Sequence, residues 1–199
     1  MTFTLDHIAI ATTDLARGTA EAETRLGVAL SPGGSHARMG THNRLLGLGP
    51  EYLEVIAIDP DAPAPDRPRW FDLDRFEGPT RLTKWILRTD DLDAALEALP
   101  AGFGPPVQFT RGDLSWRMAV PDDGILPWDG LAPALIQWDS DLRPPARLPE
   151  AGCRLTALRL THPDAALLAA LFPLDRVTYT EGPPALSATL STPTGEVVL

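Results

Sequence analysis

The sequence has little of several features that would place it in a special class of protein. It contains a single cysteine, Cys153, which excludes an internal disulfide framework and a cysteine-cluster zinc site. No apolar run approaches the roughly 18 residues of a membrane span, and the opening MTFTLDHIAI lacks the basic and apolar regions of a secretory signal. The net charge is −10, and Lys and Arg form no cluster suited to phosphates. We therefore expect a cytoplasmic protein without nucleic-acid or membrane partners.

What the sequence does contain is an internal repeat. Of its 199 residues, 44% are hydrophobic and 22% charged, as in ordinary globular proteins. The stretch LDHIAIATTDL, from Leu5, aligns with LTKWILRTDDL, from Leu82, and more faintly with LTALRLTHPDAAL, from Leu155. Each copy predicts a strand followed by an Ala- and Leu-rich helix. The aspartates at the junctions are predicted to cap the helix N-termini: Asp14, Asp91 and Asp164.

Each predicted helix is followed by segments that read as antiparallel strands. THNRLLGLGPEYLEVIAID predicts a hairpin, and similar pairs follow in the second and third copies. Proline-rich connectors at 59–70 and 141–152 separate the copies. The sequence therefore predicts an α+β fold with two modules at about 1–62 and 80–142 in one domain, 1–142, and a partial third module at 150–199 packed on that domain.

The alternation of side chains along these strands indicates a polar site. Because alternate residues of a strand share a face, His7 lies with two alanines, and Ile8 and Ile10 lie opposite with Asp6. Glu54 is the carboxylate on one face of the strand EYLEVIAID. His42 and Arg44 share a face of the strand THNRLLG. A curved sheet that gathered such faces would enclose a polar cleft.

The stretches LDHIAIATTDL and GTHNRLLGLGPEYLEVIAIDP, together with the repeated module, resemble the vicinal oxygen chelate superfamily and its glyoxalase-like branch. The resemblance covers most of residues 5–142. It implies tandem βαβββ modules of the glyoxalase/bleomycin-resistance/dioxygenase-like kind, here with a third, incomplete module. It also implies a cleft for a small-molecule ligand and favours a homodimer.

The resemblance implies a metal site as well, because metalloenzymes of the superfamily bind a divalent ion through the first and last strand of each module. Those positions are His7, Glu54, Lys84 and Gln137 in this chain. An ammonium group has no lone pair for a metal, so Lys84 departs from the pattern. We take His42 as the third ligand, giving a His7, His42 and Glu54 set for Fe, Mn, Ni or Zn.

With that set, the predicted function is a metal-dependent lyase, isomerase or dioxygenase that acts on a small oxygen-rich molecule. His7 and Glu54 are the predicted catalytic residues, and Lys84 and Gln137 would contact substrate. Trp116 would border the cleft, and His36 lies in the glycine-rich stretch PGGSHARMGTH that would close over it.

An alternative needs no metal. Lys84 would pair with Glu54, since a buried carboxylate requires a partner. With Arg88 on the same strand face and Arg44 near, the cleft would be a cationic pocket in a binding protein that sequesters an anionic ligand. A purely structural role for these residues is the third interpretation.

Overall fold

The computed structural model describes residues 2–140 and 142–199 and shows an α+β fold, as the sequence predicts. The first module comprises β1 (Thr4–Ala11), α1 (Leu15–Leu26), β2 (Ser31–His36), β3 (Thr41–Gly47) and β4 (Tyr52–Ile58). The second comprises β5 (Arg81–Arg88), α2 (Leu92–Ala98), β6 (Pro106–Arg111), β7 (Leu114–Ala119) and β8 (Ala134–Trp138). Short 3₁₀ segments lie at Trp70–Arg75 and Pro144–Ala146.

The two modules form one eight-stranded sheet in the order β2-β3-β4-β1-β5-β8-β7-β6. In each module the first strand is parallel to the last, β1 to β4 and β5 to β8, and β1 joins the modules by pairing antiparallel with β5. The edge strands β2 and β6 approach each other, and Arg38 donates to the carbonyl of Gln108 across the gap. The sheet thus curves around a cleft.

The third copy comprises β9 (Arg154–Thr161), α3 (Ala165–Leu171), β10 (Val177–Thr180), β11 (Ala185–Thr192) and β12 (Gly195–Val198). Its strand order is β10-β9-β11-β12, so its first strand lies between two neighbours instead of pairing with its last strand. It therefore lacks the pairing of a full module. It packs through Phe172 against Trp85 and Phe103, with ring centroids 6.1 and 6.2 Å apart.

The helix starts confirm two of the three predicted caps. The Asp14 carboxylate accepts from the backbone N–H of Arg17, and the Asp91 carboxylate accepts from that of Ala94. The prediction is wrong for Asp164, whose side chain makes no capping bond; its own N–H donates to His162 Nδ1 at 2.9 Å. None of the helices in the described residues is long and apolar enough to cross a membrane.

Candidate functional site in the cleft of the eight-stranded sheet

A β-bulge in β1 shapes the centre of the cleft. Leu5 pairs with Leu87 and His7 with Ile86, so Asp6 is an extra residue without a partner on β5. The prediction that Asp6 shares a face of β1 with Ile8 is therefore wrong. Its buried carboxylate accepts from His7 Nδ1 at 2.8 Å and also contacts Trp138 and Arg143 across the strands.

The hydrogen bonds to Asp6 favour its charged form. Burial alone would raise the pKa of this carboxyl, but the hydrogen bonds from His7 and Trp138 and the charge of Arg143 outweigh it, so the pKa is lowered. The Asp6 carboxylate therefore accepts from the His7 ring in its charged form.

His7 and Glu54 lie side by side on the neighbouring strands β1 and β4. His7 Nε2 lies 3.7 Å from Glu54 Oε2, and the imidazole stacks on Tyr52 with centroids 4.3 Å apart. The other Glu54 oxygen accepts from Asn43 Nδ2 at 2.5 Å. Asp6, His7, Glu54 and Asn43 therefore form one buried polar chain. Burial and the charges of Asp6 and Glu54 raise the pKa of Tyr52, which keeps its phenol protonated.

Arg111 contacts this polar chain through Asn43 and also contacts His36. The Arg111 guanidinium lies 3.4 Å from both His36 Nε2 and Asn43 Oδ1. Because arginine only donates, His36 Nε2 accepts and His36 Nδ1 carries a proton toward Thr41 Oγ1, 3.1 Å away. Burial, with the positive charge of Arg111, lowers the pKa of His36 to about 3, so the ring is neutral. Arg111 has no carboxylate partner within 4 Å in the described part of the chain.

Two neighbouring spaces border Arg111. An inner cavity of about 30 Å³, enough for a water molecule or two, is lined by the polar chain and by aromatic side chains: Trp70, Phe71, Trp116 and Trp138. An outer groove of about 660 Å³ runs along β2 and the β6–β7 turn and shares Leu45 and Arg111 with the cavity. Gly33 lets β2 approach, since a Cβ there would lie 2.1 Å from Asn43 Oδ1.

The structure brings together four of the residues selected from the sequence: His7, Glu54, Trp116 and His36. It does not bring His42 and Arg44 to the cleft. Asn43 and Leu45 of the same strand face the cavity, so their neighbours face outward. His42 Nδ1 lies 3.9 Å from Asp59, and the Arg44 side chain is exposed.

Gln137, Lys84 and Arg88 also lie away from the cavity. Gln137 faces α2, where its side-chain oxygen accepts from the backbone N–H of Leu92 at 2.8 Å. Lys84 Nζ donates to the carbonyl of Gly130 at 2.7 Å and does not pair with Glu54. Arg88 donates to the carbonyl of Leu5. The predicted cationic pocket of Lys84, Arg88 and Arg44 is therefore wrong, and Arg111 supplies the cation instead.

The residues of the cleft do not fit a metal ion. The predicted His7, His42 and Glu54 set is not assembled, because His42 lies on the other face of β3. Among residues 2–140 and 142–199, no three His, Cys, Asp or Glu side chains converge closely enough to bind a metal. Superfamily members often use divalent metals, but here an arginine cation borders the two remaining donors, His7 and Glu54.

Paired βαβββ modules that enclose a polar cleft define the fold of the vicinal oxygen chelate superfamily. A family model described as a glyoxalase-like domain matches residues 5–175, so the chain belongs to the glyoxalase-like domain family. The superfamily resemblance seen in the sequence is confirmed. The chain matches none of the curated proteins with which it was compared.

Comparison with solved structures found several similar chains. A hypothetical protein from Staphylococcus aureus is 16% identical and aligns over 100% of this chain and 84% of its own, with a TM-score of 0.63. Methylmalonyl-CoA epimerase from Mycobacterium tuberculosis is 20% identical over 67% of this chain and 85% of its own, with a TM-score of 0.44. A methylmalonyl-CoA epimerase in complex with methylmalonyl-CoA and NH4+ is 15% identical over 72% of this chain and 100% of its own, with a TM-score of 0.48.

Proposed function

We propose that the cleft binds a small organic anion without a metal and that His7 exchanges a proton with it. One observation carries this proposal: a carboxylate-bound histidine and an arginine without a carboxylate partner line the same buried cavity. An anion at Arg111 would place its neighbouring atoms beside His7. The class of reaction is proton transfer next to a carbonyl group, as in an isomerase or a lyase.

The hydrogen bond to Asp6 supports a role for His7 as a general base. With Nδ1–H donated to Asp6, the lone pair of Nε2 points into the cavity toward Glu54. The carboxylate holds this tautomer and stabilises the imidazolium that forms when Nε2 takes a proton. A general base in this position contributes typically 10²- to 10⁴-fold to a rate.

Arg111 would stabilise the negative charge that develops on the substrate. Among residues 2–140 and 142–199 its guanidinium is held only by long hydrogen bonds to His36 and Asn43, so it can turn toward an incoming oxygen. A cation in a partly buried site acts more strongly on a developing enolate than it would in water.

The sizes of the two spaces limit how a substrate would bind. The inner cavity of about 30 Å³ admits only the reacting end, and the outer groove of about 660 Å³ takes the remainder. The groove is lined largely by proline, leucine and glycine, which suits an apolar body. The proposed substrate is therefore an organic acid longer than the inner cavity.

The proposal is tested by hydrogen exchange in D₂O with EDTA present, followed by NMR on a panel of 2-oxo acids and 1,3-dicarbonyl acids. We expect exchange at the carbon next to the carbonyl, reduced roughly 100-fold or more in His7→Gln. Arg111→Met should weaken binding, and the matched variant Arg44→Met, on the outer face, should not. Exchange that persists at the original rate in His7→Gln would contradict the proposal.

Two further candidates are distinguished by the same experiment. Binding that depends on Arg111 without any exchange would indicate the sequestration protein, which the small inner cavity favours. Exchange that requires added Fe, Mn, Ni or Zn would indicate the metal-dependent enzyme and would contradict the proposal. The homodimer and the cytoplasmic location stay predictions.

A further inference from the structure

Lys84 lies in a second cavity, away from the cleft. It is the only lysine in the chain, and only 6% of its surface is exposed. Its Nζ donates to the carbonyl of Gly130 at 2.7 Å. The proposed reaction makes no use of this group, so the buried lysine calls for a separate explanation.

The second cavity has a volume of about 410 Å³ and lies between the eight-stranded sheet and the third unit. Its walls come from β5, the segment Trp70–Arg75, the loop at 129–131 and the turn before β11. The wall is mixed, with charged side chains and four apolar ones: Phe76, Leu82, Leu131 and Leu186. Phe71 is shared with the inner cavity of the cleft.

No carboxylate lies within 4 Å of Lys84 Nζ in the part of the chain that the structure describes. The two acidic residues of the cavity wall have other partners, since Asp72 binds Arg75 at 2.7 Å and Asp129 binds His162 at 3.1 Å. Arg81, at the wall, adds a second positive charge. A buried ammonium without a counter-ion is costly, and an anionic ligand would remove that cost.

The charges around Lys84 agree with this geometry. Burial lowers the pKa of Lys84 to about 8. The charge of Arg81 lowers it further, and the charge of Asp72 raises it in part. At neutral pH the group is still mainly an ammonium. It therefore retains a charge for a ligand to pair with.

Residues with an unfavourable backbone conformation also line this second cavity. Four non-glycine residues of the described chain have positive φ: Phe71 (62°), Asp72 (59°), Trp128 (54°) and Asp129 (55°). Three of them line the cavity, and Trp128 adjoins it. Such conformations cluster at ligand clamps and switch segments, because packing must hold them against their intrinsic cost.

We propose that this cavity is a second ligand site, which takes a small organic carboxylate. The carboxylate pairs with Lys84, and the apolar body packs against Phe76 and Leu186. The site is independent of the cleft and of its proposed reaction.

The single lysine makes the test direct. In protein labelled with [ζ-¹⁵N]lysine, the only side-chain ammonium signal belongs to Lys84, and it is followed while benzoate, acetate or inorganic phosphate is added. We expect a saturable shift with benzoate and none with its neutral counterpart, benzamide. Affinity for benzoate, measured by calorimetry, should fall roughly 30-fold or more in Lys84→Met. It should be unchanged in the exposed control Arg44→Met.

Three results would overturn the proposal. They are no shift of the Lys84 signal with any of the three anions, an equal response to benzamide, and saturation by phosphate but not by benzoate. The labelled wild-type protein gives these results without a variant, so the test holds even if Lys84→Met fails to fold.

Discussion

At the scale of single residues, the carboxylate of Asp6 organises the candidate site. It is fully buried, yet three donors surround it: His7, Trp138 and Arg143. A buried charge is tolerated only with such partners, and loss of the charge leaves them unpaired. Asp6 therefore fixes the His7 tautomer and also ties β1 to β8.

The variant Asp6→Asn tests this role. An amide keeps the shape but weakens the charge-assisted bonds and favours the other tautomer of His7, so we expect stability to fall by about 2–4 kcal/mol. Proton exchange on the substrate should fall with it. Urea unfolding measures the first effect, with the exposed Asp122→Asn as control. A change within about 0.5 kcal/mol of the control would contradict the assigned role of Asp6.

His36 gives a prediction about pH. Its pKa is about 3 in the folded protein and about 6.5 when unfolded, so the unfolded chain binds the extra proton between these values. The stabilising contribution is complete above pH 6.5 and is lost as the pH falls toward 3, by at most about 1.4 kcal/mol per pH unit. Unfolding measured from pH 7 to pH 4 should be less pH-dependent in His36→Gln. Thr41→Val, which removes only a partner of His36, should keep the original slope, and equal slopes in all three proteins would refute the assignment.

At the scale of strands and helices, the sequence predicts the elements better than their orientation. Alternation shows that His42 and Arg44 share a face, but only the pairing of Leu45 with Glu54 shows that the opposite face lines the cleft. The family pattern predicts Gln137 in the cleft, but its side chain faces α2. In the β3–β4 hairpin Gly47 pairs with Tyr52, and counting back along both strands puts Leu45 opposite Glu54. Asn43 lies on the same face of β3 as Leu45. This register would have identified Asn43 from the sequence.

The helix caps provide the prediction at this scale. Asp14 and Asp91 each accept a backbone N–H, so Asp14→Ala and Asp91→Ala should each lower stability by about 1 kcal/mol. Asp164→Ala is the matched control, because this side chain makes no capping bond. Chemical unfolding of the three variants checks the difference. Equal losses in all three would show that the bonds to Asp14 and Asp91 contribute nothing.

At the scale of the whole molecule, the repeat predicts the modules, but not the long-range contacts. Arg111 reaches the cleft only because β6 and β2 meet at the two ends of the sheet, and nothing near Arg111 in the sequence indicates this. Lys84 lies at a usual ligand position, yet the bulges in β1 and the docking of the third unit give it another environment. Sites assembled from distant strands depend on such contacts.

We propose that residues 150–199 fold together with the domain at 1–142. Phe172 is fully buried against Phe3, Trp85 and Phe103, so Phe172→Ala should destabilise the protein by about 3–5 kcal/mol. Unfolding should remain one transition, coincident by tryptophan fluorescence and circular dichroism. Leu167→Ala, at an exposed position of α3, is the control. Two separate transitions would show that the third unit unfolds on its own.

Metal content tests the proposal that the cleft works without a metal. The wild-type protein and His7→Ala are purified without chelator, dialysed against Fe(II), Mn(II), Ni(II) or Zn(II), and analysed by mass spectrometry for bound metal. We predict far less than one equivalent in both proteins, because Arg111 borders the His7–Glu54 pair and His42 faces away. Close to one equivalent in the wild type, lost in His7→Ala, would contradict the proposal.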